Sequence, residues 1–259
     1  SSAASDVYKS QEYTTSKEIM QGISQLAEKY SAPVFMHSSE TKSEVDGCIE
    51  RYGKSPTTLF DELGLFNYGG GAYHSVWVDD NDLEIYKKRG VWAVINAGSN
   101  CKLASGIAPV SKMMDLGINL AVGTDGPASN NCLDMFKEMF LVTGLQKVVH
   151  NDPEAVPAAD VLKMATVNGA YAMGLDNCDI LAEGKYADLI MIDLMQPNMQ
   201  PIQNIEKNVV YSASKLNVKM TMINGRAVYQ NGKFKIGESV EDIYENANRI
   251  AERILDGKE

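Results

Sequence analysis

The chain has 259 residues, of which 44% are hydrophobic and 22% are charged, and its formal net charge is −10. This length and composition are typical of a globular protein with one large α/β unit or two smaller units. The negative charge argues against a nucleic-acid backbone or an anionic membrane as a partner.

The cysteines and the hydrophobic runs favour a cytoplasmic location. Cys48, Cys101, Cys132 and Cys178 lie far apart, without a Cys-x-x-Cys pair, so we expect reduced thiols. No apolar run approaches the roughly 18–20 residues that span a bilayer. The chain begins with small polar residues and not with Met. We therefore expect no signal peptide, and a chain that is trimmed or is part of a longer one.

The first part of the chain alternates short apolar runs with helical patterns. Strands are predicted at residues 32–36, 72–78, 91–95 and 118–122. The first helix is predicted to start at a capping box of Thr15 and Glu18. A polar loop is predicted at 96–105, and long helices are predicted at 133–149 and 157–173. This order predicts an α/β fold, either half of an eight-fold barrel or the body of a doubly wound sheet.

The pattern changes near residue 181. Short strands without intervening helices are predicted at residues 187–193, 208–212, 218–223 and 227–230. Asn224-Gly225 and Asn231-Gly232 are dipeptides typical of hairpin turns. A helix is predicted at 240–255. We therefore divide the chain into an α/β unit at 1–180 and a small β region with a C-terminal helix at 181–259.

Three strand ends carry residues that could form one site. His37 and His74 fall at or near the ends of predicted strands, and Asp125 follows another strand. Parallel strands end at the same edge of a sheet, so these side chains could meet. Imidazole and carboxylate are the ligands of a catalytic zinc, and Glu40 is placed to carry a proton.

Each of these residues also has a structural interpretation. A single histidine at a strand end is commonly a hydrogen-bonded core residue, and Asp125 could cap the following helix. The occurrence of three such ends in one chain favours a site. His150 lies in a polar turn and is predicted to be a surface residue. Asp134 and Glu138 are predicted to be solvent-facing or capping groups.

Longer motifs resemble those of the amidohydrolase superfamily and, within it, the 5-methylthioadenosine/S-adenosylhomocysteine deaminases. The matching segments are 37–41 (HSSET), 99–109 (SNCKLASGIAP), 123–131 (GTDGPASNN), 165–170 (ATVNGA), 183–189 (EGKYADL) and 208–212 (NVVYS). The resemblance runs from about residue 15 to 235.

The resemblance implies a metal-dependent TIM-like barrel with an attached β-sandwich. It implies that His37 and Asp125 are ligands of one divalent metal, with zinc favoured and iron or manganese as alternatives. Glu40 would protonate a purine ring nitrogen, His74 would orient the attacking water, and Asp125 would also handle protons. The substrate would be a purine nucleoside or a similar small molecule.

The resemblance also implies that Ser129, Asn130 and Trp77 contact the substrate. Ser129 and Asn130 follow the Asp125 segment, and Trp77 stands where the family often has a second histidine. Ser10 stands where the family has another histidine, in the loop before the first helix. Ile95 and Ala97 replace the usual histidine and proline. The substrate is therefore left open, because related proteins act on triazines, guanine or cytosine.

The largest departure from the family is at the first barrel strand, where the family has a His-x-His pair. This sequence has histidines only at 37, 74 and 150. We expect the chain to begin around the fourth strand and to supply the region of strands 5–8. Only two of the four metal ligands would then lie in this chain, and a site with two ligands binds zinc weakly.

Two hypotheses remain open. In the first, the chain is the C-terminal part of a deaminase whose missing half lies elsewhere. In the second, the chain is a catalytically incomplete half-barrel that binds a purine-like ligand or a partner subunit. Half a barrel has two unpaired sheet edges. Under either hypothesis we expect a homo-oligomer or pairing with a complementing half.

Overall fold

A computed structural model describes residues 11–256, and its first sheet has four parallel strands. They are β1 (Val34–Ser38), β2 (Gly70–His74), β3 (Trp92–Ile95) and β4 (Asn119–Val122), in the order β1-β2-β3-β4. Met36, Ala72, Ala93 and Leu120 on these strands are buried. The short apolar runs thus form a sheet that lies in the core, and the α/β prediction is confirmed.

Helices connect and follow these strands. They are α1 (Lys17–Tyr30), α2 (Lys42–Tyr52), α3 (Pro56–Glu62), α4 (Asp80–Arg89), α5 (Ala97–Lys102), α6 (Val110–Asp115), α7 (Pro127–Asn130), α8 (Met135–His150), α9 (Ala158–Met164) and α10 (Val167–Ala172). The start and end of α4 follow from its sequence. Asp79 and Asp82 form a capping box, and Gly90 ends the helix in the left-handed conformation.

The close approach of β1 and β2 depends on glycine. Gly70 has a φ of 122°, a backbone conformation that side chains rarely permit. A Cβ atom there would lie 1.8 Å from the carbonyl oxygen of Val34. The glycine run at 69–71 therefore brings the strands that carry His37 and His74 into pairing distance.

The second sheet is antiparallel. Its strands are β5 (Leu189–Ile192), β6 (Val218–Ile223), β7 (Arg226–Gln230) and β8 (Lys233–Phe234), in that order. Asn224, Gly225, Asn231 and Gly232 all have positive φ, as the predicted hairpin turns require. Helix α11 (Ile205–Tyr211) lies between β5 and β6, and α12 (Val240–Leu255) follows the sheet.

The strand predicted at 208–212 is wrong, because this segment belongs to α11. The Asn204 side chain caps the helix by accepting a hydrogen bond from the Lys207 N–H. Val209 and Val210 are buried where α11 packs on α8 and α9. Packing of these β-branched side chains outweighs their preference for strands.

Three further predictions in the first part are corrected. The polar loop at 96–105 contains the short helix α5. The helix predicted at 157–173 is interrupted at Thr166, whose φ and ψ of −126° and −90° are not helical. Helix α1 is capped by Ser16, which accepts from the Ile19 N–H, and not by Thr15. Thr15 is buried instead.

Two absences within the described residues concern membrane helices and strand pairing. Within residues 11–256, no helix combines the length and the apolar character needed to cross a membrane. In the same part of the chain, β1 and β4 each pair with a neighbouring strand on one side only. The division at residue 181 stays a prediction.

Candidate active site

The structure brings His37, His74 and Asp125 together at one edge of the parallel sheet. His37 lies on β1, His74 is the last residue of β2, and Asp125 follows β4. Each offers one ligand atom, and the three atoms lie within 4.8 Å of one another. Two imidazoles and a carboxylate form a donor set that suits a divalent transition metal such as zinc.

The backbone is strained where the strands end. Ser39, His74, Ser75 and Asp125 are not glycines, yet their φ values are 55°, 70°, 49° and 61°. Such conformations cost of order 1–3 kcal/mol each and cluster at functional sites. These residues turn the chain sharply at the ends of β1, β2 and β4, which places the His37, His74 and Asp125 side chains at the sheet edge.

His74 is held in one orientation by an amide. Its side chain is buried, and Nδ1 lies 2.8 Å from Oδ1 of Asn100. Because that oxygen only accepts, Nδ1 donates this hydrogen bond, and in the neutral imidazole Nε2 then has the free lone pair. Nε2 faces Oε2 of Glu40 at 3.8 Å and Oδ2 of Asp125 at 4.0 Å. His74 thus presents a donor atom beside both carboxylates.

Asp125 is surrounded by hydrogen-bond donors. Ser99 and Ser129 donate to its Oδ2 at 2.6 and 2.7 Å, and the Gly126 N–H donates to its Oδ1 at 2.7 Å. Burial alone would raise the pKa of Asp125. These three hydrogen bonds outweigh burial and lower the pKa of Asp125, and His74 lowers it further when its imidazole is protonated. The carboxylate is therefore ionised at neutral pH, which is the form in which a carboxylate binds a metal.

His37 is also deprotonated at neutral pH. Burial lowers the pKa of its imidazole and His74 lowers it further, while Glu40 and Asp125 act in the opposite direction. Its ring stacks on that of His74, with 5.4 Å between centroids. A neutral imidazole is the form that binds a metal.

Glu40 lies beside this cluster. Its Oε2 accepts from Nε2 of Gln11 at 2.9 Å, and Ser105 Oγ approaches Oε1 at 3.4 Å. Buried Glu44 accepts from the backbone N–H groups of Ser39, Glu40 and Thr41. The Glu40 carboxylate thus faces the sheet edge from a turn that Glu44 fixes in place.

The residues predicted to contact substrate lie in different surroundings. Ser129 is a partner of Asp125. Asn130 is buried, and its amide donates to the Thr124 carbonyl and to Glu138. Trp77 is 43% exposed, and its indole donates to the Ser105 carbonyl. Trp77 therefore has the accessible surface that a ligand contact needs.

The other predicted positions are also placed. Ile95 and Ala97 are buried, His150 is exposed, and Asp134 caps α8. Ser10 lies outside the described residues. The solvent-facing prediction for Glu138 is wrong, because its side chain is completely buried and hydrogen-bonded to Gly98 and Asn130.

Sequence reasoning did not identify the supporting residues Ser99, Asn100, Ser105 and Glu138. The first three lie in a segment whose resemblance to the family was apparent, but no role was assigned to them. Their partners lie 26 or more residues away. Neutral side chains at such separations leave no periodic signal in the sequence.

Comparison with known proteins decides the family. The family model described as "Amidohydrolase family" matches residues 4–228. The chain belongs to the amidohydrolase family. This is the family that the sequence motifs indicated.

Two relatives are particularly similar to this amidohydrolase chain. One is the 5-methylthioadenosine/S-adenosylhomocysteine deaminase of Dictyoglomus thermophilum, which is 41% identical over 93% of this chain and 57% of that protein. The other is the 5'-deoxyadenosine deaminase of Methanopyrus kandleri, which is 39% identical over 93% of this chain and 56% of that protein.

A solved structure supports the fold. It is an adenosine deaminase from Xanthomonas campestris with bound zinc, and it superposes with a TM-score of 0.88 at 33% identity. The match covers 94% of this chain and 56% of that one. The chain thus spans about half the length of the relatives that it matches.

Proposed function

We propose that this chain is part of a zinc-dependent deaminase that hydrolyses the amino group from the adenine ring of a nucleoside. One observation carries the proposal: the donor atoms of His37, His74 and Asp125 lie within 4.8 Å of one another, next to the Glu40 carboxylate. The names of the relatives, which specify deamination of 5-methylthioadenosine, S-adenosylhomocysteine and 5'-deoxyadenosine, support the reaction type.

The donor set supports zinc as the metal, with His37 and Asp125 as ligands. His74 directs its Nε2 lone pair toward the same place, where it can hold the ion or orient the attacking water. Three protein ligands are the usual number for a catalytic zinc. A zinc ion bound there would act as a Lewis acid and make a water molecule more acidic.

The side chains then divide the proton transfers. Asp125 accepts a proton from the attacking water, and Glu40 donates a proton to a ring nitrogen as oxygen adds to the amino-bearing carbon. Asp125 passes its proton to the amino group, which leaves as ammonia, and the hydroxyl group on the same carbon returns a proton to Glu40 as the carbonyl forms. One water is consumed, and the adenine ring becomes hypoxanthine. Trp77 and Ser129 are proposed as the residues that face the substrate on this side of the site, and the buried Asn130 as a support of the Asp125 segment.

The architecture of the whole protein is also a proposal. We propose that the parallel sheet is part of a TIM-like barrel, in the region of strands 5–8. The antiparallel sheet would be part of a β-sandwich, and the division near residue 181 would separate the two. The remaining barrel strands would come from a complementing half or from another copy. All four cysteines are free thiols, and the cytoplasmic location stays a prediction.

An assay of ammonia release tests this function. The zinc-loaded chain is incubated with adenosine, 5'-deoxyadenosine, 5-methylthioadenosine and S-adenosylhomocysteine. It is tested alone and mixed with the segment of the Dictyoglomus thermophilum relative that it does not match. We expect hypoxanthine-ring products from at least one nucleoside in the mixture.

Two variants sharpen the assay. Glu40→Gln removes the proposed proton donor and should lower kcat by roughly 100-fold or more. Glu50→Gln, at an exposed position on α2, is the matched control and should leave kcat unchanged. Zinc-loaded mixtures that release no ammonia from any of the four nucleosides would refute the proposed reaction.

A further inference from the structure

Glu138 lies in the first turn of α8 and has no proposed part in the chemistry. Its side chain is completely buried. Oε2 accepts from the Gly98 N–H at 2.7 Å, and Oε1 accepts from Nδ2 of Asn130 at 2.7 Å. One carboxylate thus joins two segments that are about 30 residues apart in the sequence.

Each of these segments supports the cluster at the sheet edge. The segment that begins at Gly98 continues with Ser99, which donates to Asp125, and Asn100, which binds Nδ1 of His74. The other segment contains Asp125 itself. Asn130 fixes that segment through a second hydrogen bond, from Nδ2 to the Thr124 carbonyl. The Glu138 carboxylate therefore sets the distance between the supports of His74 and Asp125.

The packing around Gly98 leaves no room for a side chain. A Cβ atom at this position would lie 2.2 Å from Oε1 of Glu138 and 2.8 Å from Nδ2 of Asn130. Since Glu138 is buried and held at both oxygens, it could move away only by giving up its hydrogen bonds. A substitution at either Gly98 or Glu138 should therefore disrupt the contact between them.

We propose that Glu138 is a positioning residue for the metal site, which it serves by bridging Gly98 to Asn130. This inference rests on the proposed function, in which the cluster binds a metal. The bridge holds the Ser99–Asn100 segment and the Asp125 segment at the spacing that lets His74 and Asp125 face one ion. Partners in this outer layer typically change metal affinity by 10–100-fold when they are removed.

The chemistry of the bridge requires a carboxylate. Both partners are donors, an N–H of the backbone and an NH₂ of an amide, and a carboxylate only accepts. Glutamine has the same shape, but it would turn an NH₂ group toward one of the two donors. Glu138→Gln therefore keeps the volume and breaks one half of the bridge.

The test is a titration of the metal-free chain with Co²⁺, followed by the visible absorption of the bound ion. We expect Glu138→Gln and Gly98→Ala each to weaken Co²⁺ affinity by about 10–100-fold. A second readout, without metal, is the ¹⁵N spectrum of the His74 imidazole. Wild type should show the Nδ1-protonated tautomer, and both variants should show a mixture.

Two control variants separate positioning from general destabilisation. Asp134→Asn changes the cap of the same helix, where the carboxylate accepts from the Phe136 N–H. Gly144→Ala adds a Cβ on α8 with no heavy atom within 4 Å. Both should bind Co²⁺ as wild type does. Thermal unfolding of every variant shows whether it is folded at the temperature of the titration.

The Co²⁺ affinities of the variants separate the inference about Glu138 from the proposed function. Wild-type affinity in folded Glu138→Gln, or an equal loss in Asp134→Asn, would overturn the inference and leave the proposed function intact. A wild-type chain that binds no Co²⁺ would overturn both. If Glu138→Gln does not fold, Gly98→Ala is judged by the same criteria.

Discussion

Asn100 is a neutral side chain that orients the imidazole of His74. Its Oδ1 accepts from Nδ1 of His74 at 2.8 Å, which leaves the Nε2 lone pair directed at Asp125 and Glu40. Asn100→Ala should therefore weaken zinc binding by about 10–100-fold. Asn100→Asp retains an acceptor oxygen and should stay within a few-fold of wild type. Competition with a chromophoric chelator measures both affinities.

The control for this prediction is Asn248→Ala, at an exposed position on α12. It should leave zinc affinity unchanged. If Asn100→Ala binds zinc as tightly as Asn248→Ala does, His74 either does not contact the metal or is oriented by something other than Asn100.

At the scale of residues, sequence reasoning identified the chemically distinctive side chains. His37, His74 and Asp125 were predictable because rare residue types fell at strand ends, and parallel strands end at a common edge. Ser99 and Glu138 were not, because their contacts depend on the packing of α5, α7 and α8. Serine and glutamate are also too common on surfaces for a single one to indicate a buried role.

The turn between β1 and α2 makes the stability of the protein depend on pH. Burial is the largest effect on Glu44 and raises its pKa from 4.5 to about 7, although three backbone N–H groups oppose the rise. Between these two values the folded chain binds more protons than the unfolded chain. The free energy of unfolding therefore falls as pH rises through this window.

The expected change from Glu44 between pH 4.5 and 7 is roughly 3 kcal/mol, from about 1.4 kcal/mol per pKa unit. Buried Asp82, whose pKa is raised to about 6, adds a change of the same sign in a lower window. Glu44→Gln should retain only the part that Asp82 and other groups contribute. Urea unfolding at pH 5 and pH 8 measures the difference, with Glu50→Gln as the control. Equal pH dependence in Glu44→Gln and wild type would show that Glu44 does not titrate as described.

At the scale of elements, short sequence motifs were sufficient to predict turns where the backbone needs a positive φ. The Asn-Gly dipeptides predicted both hairpin turns, because asparagine and glycine tolerate the positive φ that these turns need. At the start of α4, Asp79 and Asp82 form a capping box in the structure. The 208–212 segment was misassigned because Val209 and Val210 favour a strand locally. Their burial against α8 and α9 could not be read from the sequence.

The chain exposes more total surface than a compact monomer of the same mass. Its accessible area is 14969 Å², whereas a compact monomer of 28.3 kDa is expected to expose about 11,200 Å². Large apolar side chains are exposed on α1 and α12: Ile19, Leu26, Tyr30, Tyr244, Ile250, Ile254 and Leu255. Strands β1 and β4 also have unpaired outer edges within the described part of the chain.

We therefore expect the purified chain to self-associate or to bind a complementing half-barrel. Light scattering coupled to gel filtration measures the mass over a range of concentrations. Ile254→Glu should shift the distribution toward the monomer, and Glu252→Gln on the same helix should not. A wild-type monomer at all concentrations that binds no complementing segment would contradict this expectation.

The proposed barrel and sandwich concern the architecture of the whole molecule. Residue patterns alone were least informative about this architecture. Four βα units fit half a barrel and a doubly wound sheet equally well, because both place parallel strands beside helices. The family motifs favoured the barrel. The strand order of the described residues, β1-β2-β3-β4, is the sequential order that a barrel requires.

The most direct test of the account is the zinc content of the purified chain, measured by atomic emission together with that of His37→Ala and Asp125→Ala. We predict about one zinc per wild-type chain, and its loss in both variants while circular dichroism shows an intact fold. A folded wild-type chain without zinc, even after incubation with excess zinc, would contradict the account, because the strand ends would then not form a metal site.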